Sequence, residues 1–176
     1  ITLGAEEQDD DTKVEKYCYN DIPQNCDFYG GLYQWAEMMN LPYECNTKSC
    51  AELIQEQHQG ICPDGWHLIT NKEMWAVINS SPNGEGIEGV KSQAYWSIGG
   101  GMNTSGFTLM GAGSRYRDGT YKNINRTACW YFPTEHDSNV VRARAGYISG
   151  NEGVFGIDNS YNTKVDAFSI RCVKNY

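Results

Sequence analysis

The strongest constraint on how this chain can fold is a pair of cysteines, Cys62 and Cys172, that bracket residues 63–171. Phe168, Ile170 and Cys172 are spaced two residues apart, so in a strand the Cys172 side chain points to the same face as two apolar side chains. Such a position is typical of a half-cystine or a buried thiol. We therefore predict a disulfide between Cys62 and Cys172. On a chain-entropy model it would destabilise the unfolded state by about 4–5 kcal/mol.

The other cysteines indicate further disulfides. Among the seven cysteines we find no two-pair spacing with a nearby His of the kind that a tetrahedral zinc site needs, so an oxidising compartment is the simpler explanation. Cys18 with Cys26, and Cys45 with Cys50, are close enough in sequence to close small loops, which leaves Cys129 unpaired. Spacing alone does not fix connectivity, so all three pairings are hypotheses.

Charge is distributed unevenly along the chain. Residues 1–60 hold 12 Asp and Glu against 3 Lys, and residues 61–176 hold 10 against 11 Lys and Arg, so a charge of −9 and a charge of +1 give the net −8. A basic stripe that would neutralise a phosphate backbone is missing, and we expect no nucleic-acid partner. Apolar runs stay well short of the ~18–20 residues of a membrane span. Since the chain begins at Ile1 without a signal h-region, we expect an excised or mature piece of an exported protein.

The length of 176 residues fits one domain with a short extension. We assign residues 1–16 to an acidic N-terminal extension and residues 17–176 to a single domain. Residues 5–16 are polar and include three consecutive aspartates at 9–11. This composition favours a solvated tail over a calcium-binding loop.

Two amphipathic helices are predicted before residue 80. Their apolar residues recur at helical spacing, which indicates packing into the core. The second helix begins after Thr70, because Thr70 and Glu73 form a capping-box pattern. The apolar positions are Leu32, Trp35, Ala36 and Met39 in residues 30–39, and Met74, Trp75 and Ile78 in the second helix.

Beyond Gly89 the pattern changes to short alternating runs separated by Gly and Asn, which predicts antiparallel strands. The pair Asp118-Gly119 predicts a type I′ hairpin turn within residues 115–122, and residues 149–153 indicate a second hairpin. Helices early and strands late predict an α+β fold whose long loops carry the function. The expected strand faces are Phe107, Leu109 and Gly111, and Val141, Ala143, Ala145 and Tyr147.

Several segments follow one another in the order of a known family. They are Tyr17-Cys18-Tyr19-Asn20-Asp21, Asn25-Cys26-Asp27, Tyr29-Gly30-Gly31-Leu32-Tyr33-Gln34-Trp35, Cys62-Pro63-Asp64-Gly65-Trp66-His67-Leu68, Gly106-Phe107, Arg115-Tyr116-Arg117-Asp118-Gly119 and Phe168-Ser169-Ile170-Arg171-Cys172-Val173-Lys174. Over residues 15–175 the chain resembles the Fibrobacter succinogenes major paralogous domain. The resemblance implies a C-type lectin-like fold, with two helices packed on short twisted antiparallel strands. It also implies an exported bacterial protein, often a lipoprotein or part of a surface protein, and it supplies no catalytic residue or ligand.

The chain departs from the family pattern at a few positions. Cys129-Trp130-Tyr131 stands where the family usually has paired tryptophans, and Ile69 stands where it usually has proline. The segment around Cys45 and Cys50 is a local elaboration. The tripeptides Glu-Pro-Asn and Trp-Asn-Asp of true C-type lectins do not occur, so we do not expect calcium-dependent sugar binding.

Patterns that would carry catalysis or metal binding are weak. Residues 84–89 match the glycine spacing of a dinucleotide site, but no strand precedes them and their two glutamates would repel a pyrophosphate. The run Glu-His-Asp at 135–137 fits an exposed turn better than a metal site. His67 fits a hydrogen-bonded structural histidine, His58 lies in a polar stretch without an evident partner, and Cys129 fits an inert strand thiol. We expect no catalytic residue, metal or cofactor.

Side chains suited to recognition are concentrated after residue 115. Tyrosine offers a large, stiff contact with a polar tip, and Asn and Arg offer hydrogen bonds. The alternative is that Tyr and Asn merely suit short strands and turns. The candidate ligand-binding residues are Tyr116, Arg117, Asp118, Tyr121, Asn123, Arg142, Arg144, Tyr147, Asn159 and Tyr161.

These features lead to a first functional hypothesis, a secreted or surface-displayed binding module that recognises a surface glycan or an extracellular protein without catalysis. A variant is a receptor whose loops are diversified by retroelements. A second hypothesis is a structural module of a surface assembly such as a pilus, for which an apolar patch or an unpaired strand edge would be the sign. A third is a glycan-active hydrolase using Glu135 and Asp158, which requires the two carboxylates to lie about 5–10 Å apart.

Overall fold

The computed structural model describes residues 2–3, 7–80, 85–150, 155–157 and 162–176. Short helices lie in the first half of the chain and the longer strands in the second half, as the α+β prediction requires. The helices are α1 (Pro23–Tyr29), α2 (Trp35–Met39), α3 (Asn71–Ile78) and α4 (Ile87–Val90), with 3-10 turns at Tyr19–Asp21, Tyr43–Asn46 and Ala51–Leu53.

The strands of the described residues form small sheets. β1 pairs with β2 in parallel, whereas β3 with β9, β4 with β5, and β6 with β7 and β8 are antiparallel. The strands are β1 (Thr2–Leu3), β2 (Glu15–Lys16), β3 (Trp66–Leu68), β4 (Ser114–Arg115), β5 (Tyr121–Lys122), β6 (Thr127–His136), β7 (Asn139–Ser149), β8 (Phe155–Ile157) and β9 (Cys172–Lys174). The second predicted hairpin falls between β7 and β8, and its residues 151–154 lie outside the described part of the chain.

α2 is shorter than the helix predicted over residues 30–39. Leu32 and Tyr33 precede it in extended conformation and form backbone bridges, Leu32 with Tyr17 and Tyr33 with Phe168. These bridges satisfy the polar groups of the backbone before the helix begins. The apolar positions of the predicted stripe are nevertheless all buried, because the turn that follows carries Trp35 and its neighbours into the core.

α3 begins with the predicted capping box. The Thr70 hydroxyl oxygen accepts the N–H of Glu73, and the Glu73 carboxylate accepts the N–H of Thr70. Met74 and Ile78 are buried, whereas Trp75, the third apolar position predicted for this helix, is 39% exposed. The reason is helical geometry: Met74 and Ile78 share a face at i and i+4, and Trp75 lies one position round the helix.

The sheet of β6 and β7 is buried on both faces. Alternate side chains of a strand point to opposite sides, and successive residues of β6 accordingly belong to two different apolar clusters. One cluster contains Trp35, Met38, Leu68, Tyr131, Ala145 and Phe168, and the other contains Ile69, Met74, Val90, Trp130, Phe132 and Ile148.

A bulge interrupts β6 at Pro133. The register passes from Tyr131 opposite Ala145 to Glu135 opposite Ala143, so β6 has extra residues here. A proline cannot donate to a strand ladder and is tolerated at such an irregularity. The bulge leaves the Phe132 carbonyl to accept the indole N–H of Trp35 at 3.1 Å, which fixes α2 against the sheet.

The hairpin of β4 and β5 is present, but its turn is not type I′. Tyr116 and Thr120 close a three-residue loop through the Tyr116 N–H and the Thr120 carbonyl, 2.8 Å apart. Of the central pair, Gly119 alone has a positive φ, +81°, whereas a type I′ turn needs two such residues. The strand expected around Leu109 is also wrong, since that residue forms only an isolated bridge with Lys91 before its side chain enters the core.

All three disulfides form as predicted. The Cα atoms are 5.0 Å apart for Cys18–Cys26, 5.6 Å for Cys45–Cys50 and 5.9 Å for Cys62–Cys172, and Cys129 is the free thiol. Three disulfides in one small domain are consistent with an oxidising compartment.

Residues 7–16 are not the solvated tail that their composition predicted. Gln8 is 2% exposed and exchanges hydrogen bonds with Gln34, whose N–H donates to the Gln8 amide oxygen at 2.7 Å. The N–H of Glu15 donates to Glu37 at 2.7 Å. Amide side chains can donate and accept at once, which lets a polar segment pack against backbone groups.

The last part of the chain, residues 162–174, joins the other elements. Phe168 exchanges backbone hydrogen bonds with Tyr33, and Ala167 exchanges them with Arg115. The Ser169 N–H donates to the Cys129 carbonyl of β6, and β9 pairs with β3. One segment thus connects the early bridges, the β4–β5 hairpin and the central sheet.

A buried ion pair lies where this segment meets β6. The Lys164 ammonium, 0% exposed, donates to the Glu135 carboxylate at 2.7 Å and to the Cys45 and Lys48 carbonyls, above the Trp35 ring. Although burial opposes it, the bonds from Lys164, Ser49 and the Cys50 N–H lower the pKa of Glu135. Glu135 therefore does not lie in an exposed turn as predicted.

Replacing Lys164 with Met should reduce the free energy of unfolding by about 3–5 kcal/mol, because it leaves a partly buried carboxylate and two carbonyls without their cation. Urea denaturation followed by circular dichroism measures this loss. The matched control is Lys48→Met, which breaks an exposed pair with Glu44 and should cost about 0–1 kcal/mol. Equal effects of the two substitutions would contradict the structural role of Lys164.

Burial raises the pKa of Glu37 from 4.5 to about 7. A raised carboxyl pKa means that folding favours the protonated form, so this stabilisation is lost as the pH rises from about 4.5 to about 7. Glu37→Gln should therefore be more stable than the wild type at pH 8, with the difference shrinking toward pH 4.5. Unfolding curves at several pH values measure it. The control is Glu52→Gln, which changes an exposed glutamate. If the stability of Glu37→Gln relative to the wild type depends on pH in the same way as that of the control, the pKa of Glu37 is not raised.

Candidate functional site

A groove runs beside the β4–β5 hairpin and consists of two adjoining chambers. The polar chamber has a volume of about 440 Å³. Its walls come from the hairpin, from β7 and from the C-terminal segment. It is lined by Tyr116, Arg117, Asp118, Lys122, Arg142, Asn162, Thr163 and Asp166.

The aromatic chamber has a volume of about 330 Å³ and meets the polar chamber at Tyr116 and Asn162, which line both. Its wall is one face of the β6–β7 pair, where Cys129 lies opposite Tyr147, and the buried Phe168 also lines it. The remaining lining residues are Asn123, Thr127, Cys129, Gly146, Tyr147 and Ser149.

Asp166 fixes the polar chamber. Its carboxylate accepts the N–H of Arg117 at 2.9 Å and the N–H of Thr163 at 3.2 Å, so it fastens the hairpin loop to the C-terminal segment. The Tyr131 hydroxyl lies below and donates to the carbonyls of Thr163 and Asp166. Because these bonds involve backbone groups, the position of the loop does not depend on any exposed side chain.

Tyr116 separates the two chambers. Its backbone is held by the hairpin bond to Thr120, and the Lys122 ammonium lies 5.0 Å from the centre of its ring. The ring therefore has one cation on its face and is half-buried, and it keeps a polar tip.

The aromatic chamber is shaped by close packing in the sheet. Gly146 lies opposite Trp130, and a Cβ at this position would be 2.5 Å from the Trp130 ring, so only glycine leaves room. The Phe168 ring packs on Tyr131 with centroids 4.6 Å apart. Asn123 adopts a φ of +67°, which asparagine tolerates better than most residues.

The predicted ligand-binding residues divide into three groups. Tyr116, Arg117, Asp118 and Arg142 line the polar chamber, and Tyr116, Asn123 and Tyr147 line the aromatic chamber. Tyr121 and Arg144 line neither. Asn159 and Tyr161 lie outside the described residues.

Tyr121 and Arg144 have other contacts in the fold. The Tyr121 hydroxyl donates to Asp21 at 2.6 Å, and its ring is 5.2 Å from that of Tyr19. Arg144 pairs with the exposed Asp137. Because Tyr121 neighbours Lys122 on one strand, their side chains point to opposite sides, and Lys122 is the one that reaches the groove.

Sequence reasoning missed several lining residues, including Lys122, Thr163, Asp166 and Phe168. The alternation of Tyr121 and Lys122 was a signal that could have identified Lys122. Nothing local pointed to the C-terminal residues, because they enter the groove through contacts with distant residues, such as Asp166 with Arg117, 49 positions away.

A second cavity of about 560 Å³ lies beside His67 and Glu73. Both ring nitrogens of His67 are engaged, at 2.8 Å from Asn175 and at 2.8 Å from Glu73, and the residue is buried. This confirms the prediction of a structural histidine. His58 is also buried and lies 2.8 Å from the Met39 carbonyl, so the expectation that it lacks a partner is wrong.

Neither a metal centre nor a membrane helix is found in the described part of the chain. Its His, Cys, Asp and Glu side chains form no group of three able to hold a metal ion. Among its helices, none has the length and apolar character needed to cross a membrane. The hydrolase hypothesis requires the carboxylates of Glu135 and Asp158 to lie close together. Glu135 forms an ion pair with Lys164, and Asp158 lies outside the described residues.

A family comparison agrees with the order of the motifs. The model of the Fibrobacter succinogenes major domain matches residues 3–174. The chain belongs to this family. Neither a search of curated proteins nor a search of solved structures returned a match.

The motifs of this Fibrobacter succinogenes major domain can now be located in its structure. It begins before residue 7, in agreement with the packing of residues 7–16 against the core. The two cysteine motifs carry β3 and β9 and are joined by Cys62–Cys172. The motif at residues 115–119 supplies the hairpin loop of the groove.

The Cys129 thiol of this Fibrobacter succinogenes major domain should be unreactive. Although Cys129 is half-buried and lines the aromatic chamber, desolvation raises its pKa to about 12, so only about one molecule in ten thousand carries the thiolate at pH 8. We expect iodoacetamide to modify the native domain about a thousandfold more slowly than the unfolded, unreduced domain. Intact-mass spectrometry measures both rates. Rapid modification of the native domain would show an activated thiol.

Proposed function

We propose that this domain is an exported, non-catalytic binding module that holds a saccharide in the groove. The observation that carries the proposal is the pair of adjoining chambers, about 440 and 330 Å³, that share Tyr116 and Asn162. Ligand sites commonly have volumes of about 300–1,000 Å³. Each chamber is therefore large enough for a sugar ring, and the two together accommodate a short oligosaccharide.

The lining residues support a saccharide because they combine two kinds of contact. Arg, Asn, Asp and Thr side chains supply donors and acceptors that match the hydroxyl groups of a sugar. Tyr116 and Tyr147 supply flat, stiff surfaces on which the C–H faces of a sugar ring can pack. The bonds of Asp166 to the backbone hold this set in place before a ligand arrives, which lowers the entropic cost of binding.

The location and fold of the module form part of the proposal. Three disulfides favour an exported protein. The β3–β9 pair, which brings the two cysteine motifs together, and short helices packed on twisted antiparallel strands support a C-type lectin-like fold. On this proposal the groove lies on the loop-rich side formed by the β4–β5 hairpin.

A protein ligand or a neighbour in a surface assembly is the second candidate. The specific observation in its favour is an exposed aromatic patch in which Phe28 is 54% exposed, Tyr95 is 41% exposed, and their ring centroids are 6.3 Å apart. Exposed apolar patches mark protein contacts more often than single exposed residues do.

An array of immobilised glycans, probed with the labelled domain, tests the saccharide proposal. Tyr116→Ala should weaken binding to any positive glycan by roughly tenfold or more, because it removes the surface shared by both chambers. The matched control is Tyr121→Phe, which changes a tyrosine on the same hairpin that lines neither chamber and should leave affinity unchanged. Isothermal titration calorimetry gives the dissociation constants.

Two outcomes would overturn the proposal. One is the absence of binding to every glycan on the array together with capture of an extracellular protein, which would favour the second candidate. The other is glycan binding that survives Tyr116→Ala but is lost in Tyr121→Phe, which would place the site on the opposite side of the hairpin.

A further inference from the structure

The groove differs in charge from the rest of the protein. The chain as a whole carries −8, and residues 1–60 carry −9. The polar chamber instead gathers three basic side chains, Arg117, Lys122 and Arg142, with two acidic ones, Asp118 and Asp166. The formal charge of the chamber is therefore +1, whereas the net charge of the whole chain is negative.

Both carboxylates of the polar chamber are already used by the fold. Asp166 is 6% exposed and accepts two backbone N–H groups, from Arg117 and Thr163. Asp118 accepts the N–H and the hydroxyl of Thr120, and these bonds lower its pKa. The fold therefore holds both carboxylates in place, Asp166 through two backbone donors and Asp118 through one oxygen bonded to Thr120.

Two of the basic side chains, Arg117 and Lys122, differ from these carboxylates in their contacts. In the part of the chain that the structure describes, no carboxylate lies within ion-pair distance of the Arg117 guanidinium or the Lys122 ammonium. The Lys122 ammonium lies on the face of the Tyr116 ring and is also attracted to the Asp118 carboxylate, and the Arg117 side chain is exposed. Both cations can therefore turn toward a ligand without breaking an existing ion pair.

We propose that the groove recognises an acidic saccharide, one whose sugar rings carry a carboxylate or a sulfate, with the oxyanion held by Arg117 and Lys122 and the adjoining ring packed on Tyr116. This inference rests on the proposed function and narrows its ligand class. A guanidinium matches the two oxygens of a carboxylate or sulfate with parallel hydrogen bonds, and an ammonium adds a point charge.

The surrounding negative charge gives this arrangement selectivity. An acidic polymer is repelled by the N-terminal third of the chain and attracted only where basic side chains line a concave wall, which concentrates the field. Neutral sugars would accept hydrogen bonds from these cations but would gain no charge–charge attraction. We therefore expect charge, not sugar identity alone, to distinguish ligands from non-ligands.

A glycan array with matched pairs tests the inference on the intact domain. Each pair contains an acidic oligosaccharide and its neutral counterpart: a tetragalacturonate and its methyl ester, a sialylated and a desialylated glycan, and a sulfated and a desulfated chondroitin. We expect binding to acidic members only, weakening as NaCl rises from about 50 to 300 mM. The carboxylate and sulfate pairs separate the two sources of the anion.

Charge-removing variants assign the effect to the groove. Arg117→Gln and Lys122→Gln should each weaken binding to the acidic ligand roughly tenfold and reduce its salt dependence. The matched control Lys174→Gln removes one charge from an exposed lysine of β9 that lines neither chamber, and should change neither quantity. Circular dichroism melting curves check that each variant is folded.

The outcomes separate the two proposals. The acidic and neutral members of each pair could bind equally well, independently of salt, and lose binding in Tyr116→Ala. This result would overturn the proposal of an acidic ligand but would still support a saccharide-binding groove. Acidic binding weakened equally by Lys174→Gln and Arg117→Gln would indicate attraction by overall charge and would also overturn it. The absence of binding to every glycan would overturn the proposed function, and this inference with it.

Discussion

The structure depends on the C-terminal segment, residues 162–174, which lies against elements from both halves of the chain. It exchanges backbone hydrogen bonds with Tyr33 and Arg115, donates one to β6 and ends as β9 beside β3. Buried backbone groups must be paired, so each of these contacts needs the segment in one position. The Cys62–Cys172 disulfide closes its end, and the Lys164–Glu135 pair fixes its beginning. Elements that are individually too short to be stable are thereby held in one domain.

The groove is a consequence of the same segment. Asp166 accepts a backbone donor from the hairpin loop, and Phe168 lines the aromatic chamber. Recognition side chains on the hairpin are therefore placed by buried bonds beneath them, which is the support that a preorganised site requires. This arrangement separates the residues that hold the groove from those that face its interior. Exposed residues such as Arg117 can then vary in chemistry without loss of the fold, which suits a module whose ligand is set by its loops.

The sequence predicted those features that depend on near neighbours or on chemical type. The α3 capping box followed from Thr70 and Glu73 three residues apart, and the cysteine pairs at 18–26 and 45–50 followed from proximity along the chain. Errors arose where a distant contact overruled a local pattern. Residues 7–16 looked like a tail because they are polar, but the Gln8 side chain bonds to Gln34 and the Glu15 backbone N–H bonds to Glu37. Glu135 looked exposed because its partner, Lys164, lies far along the chain.

The family, the α+β class, the two short-range disulfides and the hairpin that carries the recognition residues were determined by the sequence, because each is encoded in residue type and short-range spacing. The choice among recognition residues was decided only by the tertiary structure. Tyr121 and Lys122 are adjacent in sequence, yet one packs on Tyr19 and the other faces the groove. Alternation along a strand tells which residues share a side of the sheet, but not which side is buried. That is decided when distant segments pack against one side. Here residues 162–168 cover it, and so they decide which charges meet in the groove.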